Sequence, residues 1–564
     1  MNLPGILIAA LFVLMEGWFF YRLLRLKFLP AKYMWLIGAG LVLLAALVAF
    51  LCWNARKKGK FVAGTILALV LSVGMIFGSG VVDKIRNTVK QWEPPTTDAY
   101  QTVQMGVYVL SGGPIQHLED LEGKTLGIME TVDRHEAEQV LDELSRKLAD
   151  PIEVLTYTSF AEVARALYDG EIHAAILDEN FVQVLSGIEG FEDVAQRIQK
   201  VTEYRAERPT QPTTLQPGES AASTVADTTE TTNAQHGTRI WRIVNHKTTR
   251  HPETEETGDT EEPTLTETQA PETPAPTTQP PEGPIGTTPP PTQAPTAGWI
   301  GVPAGQEGRI FTVYISGLDS RGGGLASRGN SDVNILASVN MNTRQILLVN
   351  TPRDYFVPFP TVGGTDKLTH AGYYGVDASM ASLRSLYGVS SQYYVRVGFE
   401  GLKSFINAIG GINVYSAYAF SSDGYTFTQG SNAMDGAKAL TFVRQRRALP
   451  GGDNARGQNQ MAVIKAVMQK LSSSSTWSNF NQILDSVGGL INTSMPYDTI
   501  AAFSQSVLGG ESWNVSSYAV TGSNGMEYCF STGQTAYVMY PNYGTVSYAQ
   551  TLIRKLYNGE WVSP

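Results

Sequence analysis

VNTPRDYFVPFP, residues 349–360, sets an arginine and an aspartate directly behind an apolar run. The run Ile346-Leu347-Leu348-Val349 reads as a buried strand, and Pro352, with no N–H to donate, ends its ladder. Two readings of that ending are open. Strands end at surfaces, where Arg353 and Asp354 would simply be solvated. Strand ends in α/β folds are also where ligands sit, and Arg353 would then face an anion.

The surrounding chain reads as one α/β domain from about residue 306 to 564. FTVYISGLD (311–319), VNILASVN (333–340) and QILLVNTPRD (345–354) are its strands. ASMASLRSLYG (378–388), FEGLKSFINAIGG (399–411) and GQNQMAVIKAVMQKL (457–471) are helices, the first two stopped by Gly. About 250 residues suffice for a large single core.

The whole chain has 564 residues, too many for one compact domain. Its net charge of -10 argues against a general nucleic-acid binder. Cys52 lies in an apolar segment, which leaves Cys529 as a lone thiol and no disulfide framework.

Three apolar runs, 4–24, 34–53 and 61–82, fill the N-terminal 83 residues. Each is near the ~20 residues that cross a bilayer as a helix. Glu16 in the first must face another helix or a polar cavity. No basic region precedes the first run, so a cleaved signal peptide fits poorly. Arg22, Arg25, Lys27 and Lys32 in the first loop balance Arg56, Lys57, Lys58 and Lys60 in the second, so charge alone gives no orientation. With the compact second loop taken as cytoplasmic, everything after residue 83 is expected outside the cell, on a multi-pass membrane protein.

Residues 100–203 alternate strand and helix patterns: MGVYVL (105–110), then a βαβ series through IEVLTY, FAEVARALYDG and IHAAIL. LEDLEGKTLGIM (118–129) and ARALYDGEIHAAILDEN (164–180) resemble segments framing one lobe of the extracellular solute-binding proteins, with His173 where that family often has Asp. A complete member of that family has two lobes around a cleft. One lobe alone implies a truncated sensor or a packing module.

Residues 204–298 are dominated by Thr, Pro, Glu and Gln, a composition that cannot bury enough surface to order itself. The segment reads as a disordered tether spanning ~50–60 Å as a coil. TRIWRIVNHK (238–247) interrupts it as either a docking patch or a chance apolar island.

Charged residues gather near strand ends in the C-terminal domain: Asp319 and Arg321, Arg328 and Asp332, Arg353 and Asp354, Arg444, Arg446 and Arg447, then Asp453, Arg456 and Gln460. Read as a strand, Arg444 and Arg446 aim at one face, and two guanidinium forks suit a pyrophosphate. Asp319 and Asp332 could share a Mg²⁺. Each pair taken alone reads more readily as a surface salt bridge than as a ligand contact. His370 is the only histidine after residue 251, which disfavours a Ser/His/Asp hydrolase.

GLDSR, RGNSDVNILASVN, TPRDYFVPFP, DKLTHAGYYGVD, YYVRVGF, INAIGGINVY, ALTFVRQR and GDNARGQNQMAVI, in this order and spacing, resemble the LytR-CpsA-Psr family over residues 311–470. The resemblance implies an α/β/α sandwich with an apolar tunnel for a polyprenyl chain and a pyrophosphate and Mg²⁺, or Mn²⁺, at its mouth. It implies metal roles for Asp319 and Asp332. It implies pyrophosphate contacts for Arg328, Arg353, Arg444, Arg446 and Gln460, with Arg321 and Arg456 nearby. Many members read Arg-Gln where this chain has Asn459-Gln460, and Arg447 or Arg396 is a candidate to replace the missing charge.

The implied activity is transfer of a polyprenyl-pyrophosphate-linked anionic glycopolymer, of teichoic acid or capsule type, to peptidoglycan through a phosphodiester. Catalysis would fall to Arg353, Asp319, Arg444 and Arg446. Two rivals stand beside it: hydrolysis of the polyprenyl pyrophosphate, and a non-catalytic membrane sensor of lipid-linked glycans. The membrane is an expected partner and nucleic acid is not.

Overall fold

The computed structural model describes residues 3–53, 58–92, 100–209, 241–244, 299–318, 325, 327–450, 452–471, 489–510 and 512–564. The three apolar runs are helices: α1 (Leu3–Leu26), α2 (Ala31–Cys52) and α3 (Lys58–Trp92). All three are long and apolar enough to cross a membrane. Pro30, with φ -55, sits at the start of α2, where its missing N–H costs nothing. Phe12, Val48, Cys52, Ala68 and Met75 form the seam between the helices, and Glu16 is buried within the bundle. Leu7, Leu11, Leu36, Leu43, Leu69 and Phe77 face outward.

Residues 100–209 form a lobe around a mixed sheet. Its strands are β1 (Tyr100–Leu110), β2 (Thr125–Met129), β3 (Ile152–Tyr157), β4 (Ala174–Asp178), β5 (Ile198–Pro209) and β6 (Trp241–Val244). The order is β5-β1-β4-β2-β3-β6. The sequence places the lobe's end at 203, but β5 pairs with β1 along its whole length, to Tyr100↔Pro209. Its charged residues, Glu203, Arg205 and Glu207, look like linker and yet lie on a paired strand. The apolar island reappears as β6, parallel to β3 with Val154 opposite Ile243. The rest of the expected tether, 210–240 and 245–298, lies outside the described residues.

The C-terminal domain is built on β7 (Ile310–Leu318), β8 (Ser331–Asn340), β9 (Gln345–Asn350), β10 (Tyr393–Gly398), β11 (Ile491–Thr493) and β12 (Asn514–Ala519). Their order is β11-β10-β7-β8-β9-β12. Alternation along the strands makes a three-layer sandwich. Tyr314, Leu336, Leu347 and Val349 meet the helices Val376–Tyr387 and Tyr543–Tyr557. Val313, Ile335, Ala337, Ile346 and Leu348 meet the helices Gly452–Leu471 and Tyr497–Leu508. The second face is less sealed: Ile315, Val333, Val395, Ile464, Met468 and Phe503 are only partly buried.

The three parts are packed together, not strung apart on a tether. At the end of the bundle where α1 and α3 finish, Leu26, Phe28, Val82, Ile85 and Val89 bury Ala501 of the C-terminal domain. Lys27 pairs with Asp498 at 3.0 Å, and the Tyr497 hydroxyl donates to Leu26 O at 2.7 Å. The lobe meets the same domain through Phe160, whose ring lies 5.6 Å from Tyr373 and 5.9 Å from Tyr374. One hydrophobic core runs through both. The lobe presents the C-terminal ends of its parallel strands, Glu130–Asp133, Thr158–Phe160 and Asp178–Phe181. This is the edge at which α/β sheets bind ligands, and here the C-terminal domain covers it.

Candidate functional site

Beyond β9 the chain turns at Thr351-Pro352 and sets Arg353 on the edge of a cavity of about 210 Å³. Asn330, Asp354, Lys367, Thr369, His370 and Tyr373 line it with Arg353, while Gly187, Ile188 and Glu189 of the lobe close one side. The Arg353 guanidinium donates to Asp332 Oδ1 at 2.8 Å. Asp354 is buried at the centre of a cationic ring: Arg353 Nε and Lys367 Nζ stand 3.7 Å from its carboxylate and Arg446 3.8 Å. Asp354 thus faces three cations at once.

Arg444 and Arg446 are not on a strand. The helix Gly436–Arg444 ends at Arg444, and Gln445 is extended. Asp435 caps its start by accepting from Lys438 N, and the apolar residues of ALTFV follow helical spacing. The two arginines therefore diverge. Arg446 turns to Asp354, while Arg444 stacks on Phe399 with its guanidinium 4.6 Å from the ring centre.

Gln460 and its neighbour Asn459 are buried on the helix Gly452–Leu471 and donate to Val443 O and Phe442 O, at 3.4 and 3.3 Å. They fasten the helix that carries Arg444. Arg456 is buried one turn earlier. Gly457 lets this helix press against the Asn350 side chain at the end of β9, where a Cβ would collide.

Arg328 departs most from its expected place. It is buried, it donates to Asp133 Oδ1 at 2.7 Å, and its Nε lies 3.3 Å from Asp178 Oδ2. Both carboxylates belong to the lobe. The guanidinium also lies 4.5 Å from the centre of the Phe181 ring. Asp133 reaches it from a left-handed turn, φ 55, and also binds Arg208. Arg328 is thus committed to a contact between domains, with only a 3.4 Å bond to Tyr373 O leading toward the cavity.

Arg396, a candidate for the missing charge, is buried on β10, and burial pulls its pKa below the ordinary arginine value. Arg447 is exposed. Asp319 and Arg321 lie outside the described residues. Asp332 offers the hard oxygen donors that Mg²⁺ takes, at the edge of the Arg353 cavity, so its chemistry fits such an ion.

The sequence reading passed over Asp366 and Lys367 and weighed His370 only for a hydrolase triad, although their motif DKLTHA was in view. His370 Nδ1 lies 2.8 Å from Asp366 Oδ1, the i,i+4 spacing of a helical turn. Burial would raise the Asp366 pKa, but the bond and charge of His370 and the Ser531 N–H outweigh it and hold it below the usual value. Donor atoms of Asp366, His370 and Cys529 lie within 4.8 Å of one another. Asp366 already accepts from His370, Lys367 N and Ser531 N, and burial pushes the Cys529 thiol far above its ordinary range. This group is a structural pin beneath the cavity.

Residues 294–545 match the LytR_cpsA_psr family, and residues 96–209 match the NMT1/THI5 like family. A polyisoprenyl-teichoic acid–peptidoglycan teichoic acid transferase TagU of Enterococcus faecalis is 36% identical over 189 residues, 33% of this chain and 62% of the relative. Its Oceanobacillus iheyensis counterpart is 35% identical over 202 residues, 35% of this chain and 62% of that one. The chain thus spans less than two thirds of these relatives' length. The crystal structure of B. subtilis TagV overlays with a TM-score of 0.38 and 22% identity, across 45% of this chain and 100% of that one. The match to the LytR_cpsA_psr family thus falls on the C-terminal domain that carries the Arg353 cavity.

Proposed function

We propose that the chain is a membrane-anchored transferase that moves a polyprenyl-pyrophosphate-linked anionic glycopolymer onto a peptidoglycan hydroxyl through a phosphodiester. The observation that carries this reading is the cationic ring of Arg353, Lys367 and Arg446 around Asp354, in a domain whose relatives are named for such a transfer. Three cations exceed what the two carboxylates beside them, Asp354 and Asp332, balance, and the surplus suits a diphosphate. Arg353 and Arg446 would bind its oxygens and stabilise charge on the departing lipid phosphate. Lys367 would hold Asp354 in place. The partly open apolar layer beside Ile315, Val395, Ile464 and Phe503 suits the prenyl chain.

Asp332, with Asp319, would hold a Mg²⁺. When bound, that ion supplies further neutralisation of the diphosphate. On this reading the domains after residue 83 would lie outside the cell, where peptidoglycan is. Which anionic polymer is moved, teichoic acid or capsule, is left to the assay.

The test uses the full chain in nanodiscs with a polyprenyl-pyrophosphate oligosaccharide, Mg²⁺ and peptidoglycan fragments, followed by mass spectrometry. Glycan joined to the fragment through phosphate, lost in Arg353→Ala, supports the transferase. Free phosphorylated glycan alone would turn the reading to a hydrolase, and binding without product to a sensor.

A further inference from the structure

Where α1 and α3 leave their apolar bands, a cavity of about 450 Å³ opens between the bundle and the C-terminal domain. Arg25 and Lys27 line it from the end of α1, Arg86 and Lys90 from α3, and Pro496, Tyr497 and Asp498 from the C-terminal domain. Arg86 and Lys90 are four residues apart and share one face of α3. The apolar runs stop at residues 24 and 82, so these cations follow within about two turns, at the depth of lipid headgroups.

The charge does not balance. Asp498 is the one carboxylate lining the cavity, and Lys27 takes it at 3.0 Å. The nearby Asp83 is taken by Arg22. Among the described residues, no carboxylate pairs with Arg25, Arg86 or Lys90. Tyr497 is fixed by its bond to Leu26 O, and burial holds its pKa up at about 12, so it adds no negative charge.

Cations at helix ends commonly snorkel to headgroups and need no site. Here a third wall, Pro496 to Asp498, turns the rim into a pocket. We propose that this pocket binds the phosphate of an anionic lipid headgroup and holds that lipid between the membrane anchor and the C-terminal domain. Arg25 and Arg86 supply guanidinium forks for phosphate oxygens, and Lys90 a mobile ammonium. A phospholipid phosphodiester and a prenyl monophosphate offer the same group. The inference stands whether or not the domain above is a transferase.

The test is native mass spectrometry of the full chain, purified in neutral detergent, titrated with phosphatidylglycerol, phosphatidylcholine, undecaprenyl phosphate or inorganic phosphate. The expected result is at least about tenfold preference for an anionic lipid over phosphatidylcholine. Arg86→Gln/Lys90→Gln should weaken it by about fivefold per cation removed, and the exposed Lys555→Gln should leave it unchanged. Preference for undecaprenyl phosphate over phosphatidylglycerol names the monoester as the source, and equal binding names the anionic phospholipid surface. Both support the site. Equal retention of phosphatidylcholine and phosphatidylglycerol by the wild-type chain overturns it, and that comparison needs no variant to fold. So does competition by inorganic phosphate alone at equal concentration, because the lipid would then be irrelevant.

Discussion

Asp354 is buried and surrounded by three cations at 3.7–3.8 Å, a position from which it would hold them in place. Asp354→Asn removes the charge and keeps the shape. Arg353 and Arg446 should then drift, and a displacement near 1 Å costs up to about 100-fold in turnover. Steady-state kinetics check this, with an unchanged circular dichroism spectrum as the control. Asp366 answers to acid. Its folded carboxyl lies below the unfolded value of ~3.9, so the unfolded chain binds the proton first. The stability it contributes is full above that value and is lost as pH falls through the folded value. Between pH 5 and pH 3 the wild-type melting temperature should fall more steeply than that of Asp366→Asn, which starts lower. Parallel slopes would remove Asp366 from the acid response.

Arg353 and Asp354 were legible at this scale because the end of β9 announces itself: an apolar run, a proline, then charge. Arg328 was not. Its counter-charges, Asp133 and Asp178, stand far earlier in the chain, in a segment that reads as another protein's lobe. Nothing local marks such a pairing.

Among elements, strands whose apolar residues alternate between two helical layers were plain in the sequence, as were the Gly-stopped helices. The reading failed at FVRQRR, a window too short to distinguish two arginines on a strand from two around a helix end. The cap that decides it, Asp435, lies outside that window. β5 and β6 were missed because pairing partners, not composition, hold Glu203–Pro209 and Trp241–Val244 in strands. The helix Gly452–Leu471 depends on Gly457 to reach β9. Gly457→Ala should push it from Asn350 and destabilise the domain by about 1–3 kcal/mol. Urea unfolding measures this, and a change within error would show that Asn350 gives way freely.

At the scale of the molecule, the C-terminal domain covers the strand-end edge of the lobe, where α/β sheets bind ligands. The lobe's ligand edge is filled by Arg328, Tyr373 and Tyr374. Asp133→Ala/Asp178→Ala would leave Arg328 buried without either carboxylate, a loss of about 3–5 kcal/mol. Hydrogen exchange should then rise first at residues 130–133, 178–181 and 372–374. Uniform exchange across the molecule would mean that the two bodies do not part there.

The bundle grips the C-terminal domain with two rods at once, α1 through Lys27 and α3 through Val82, Ile85 and Val89. A body held by one rod can swivel; one held by two cannot. The two contacts together fix how the Arg353 cavity sits relative to the bundle, like a fixed port on a hull. On the transferase reading proposed above, an acceptor would have to drift to that port, so its supply, and not a search by the protein, would set how often the two meet.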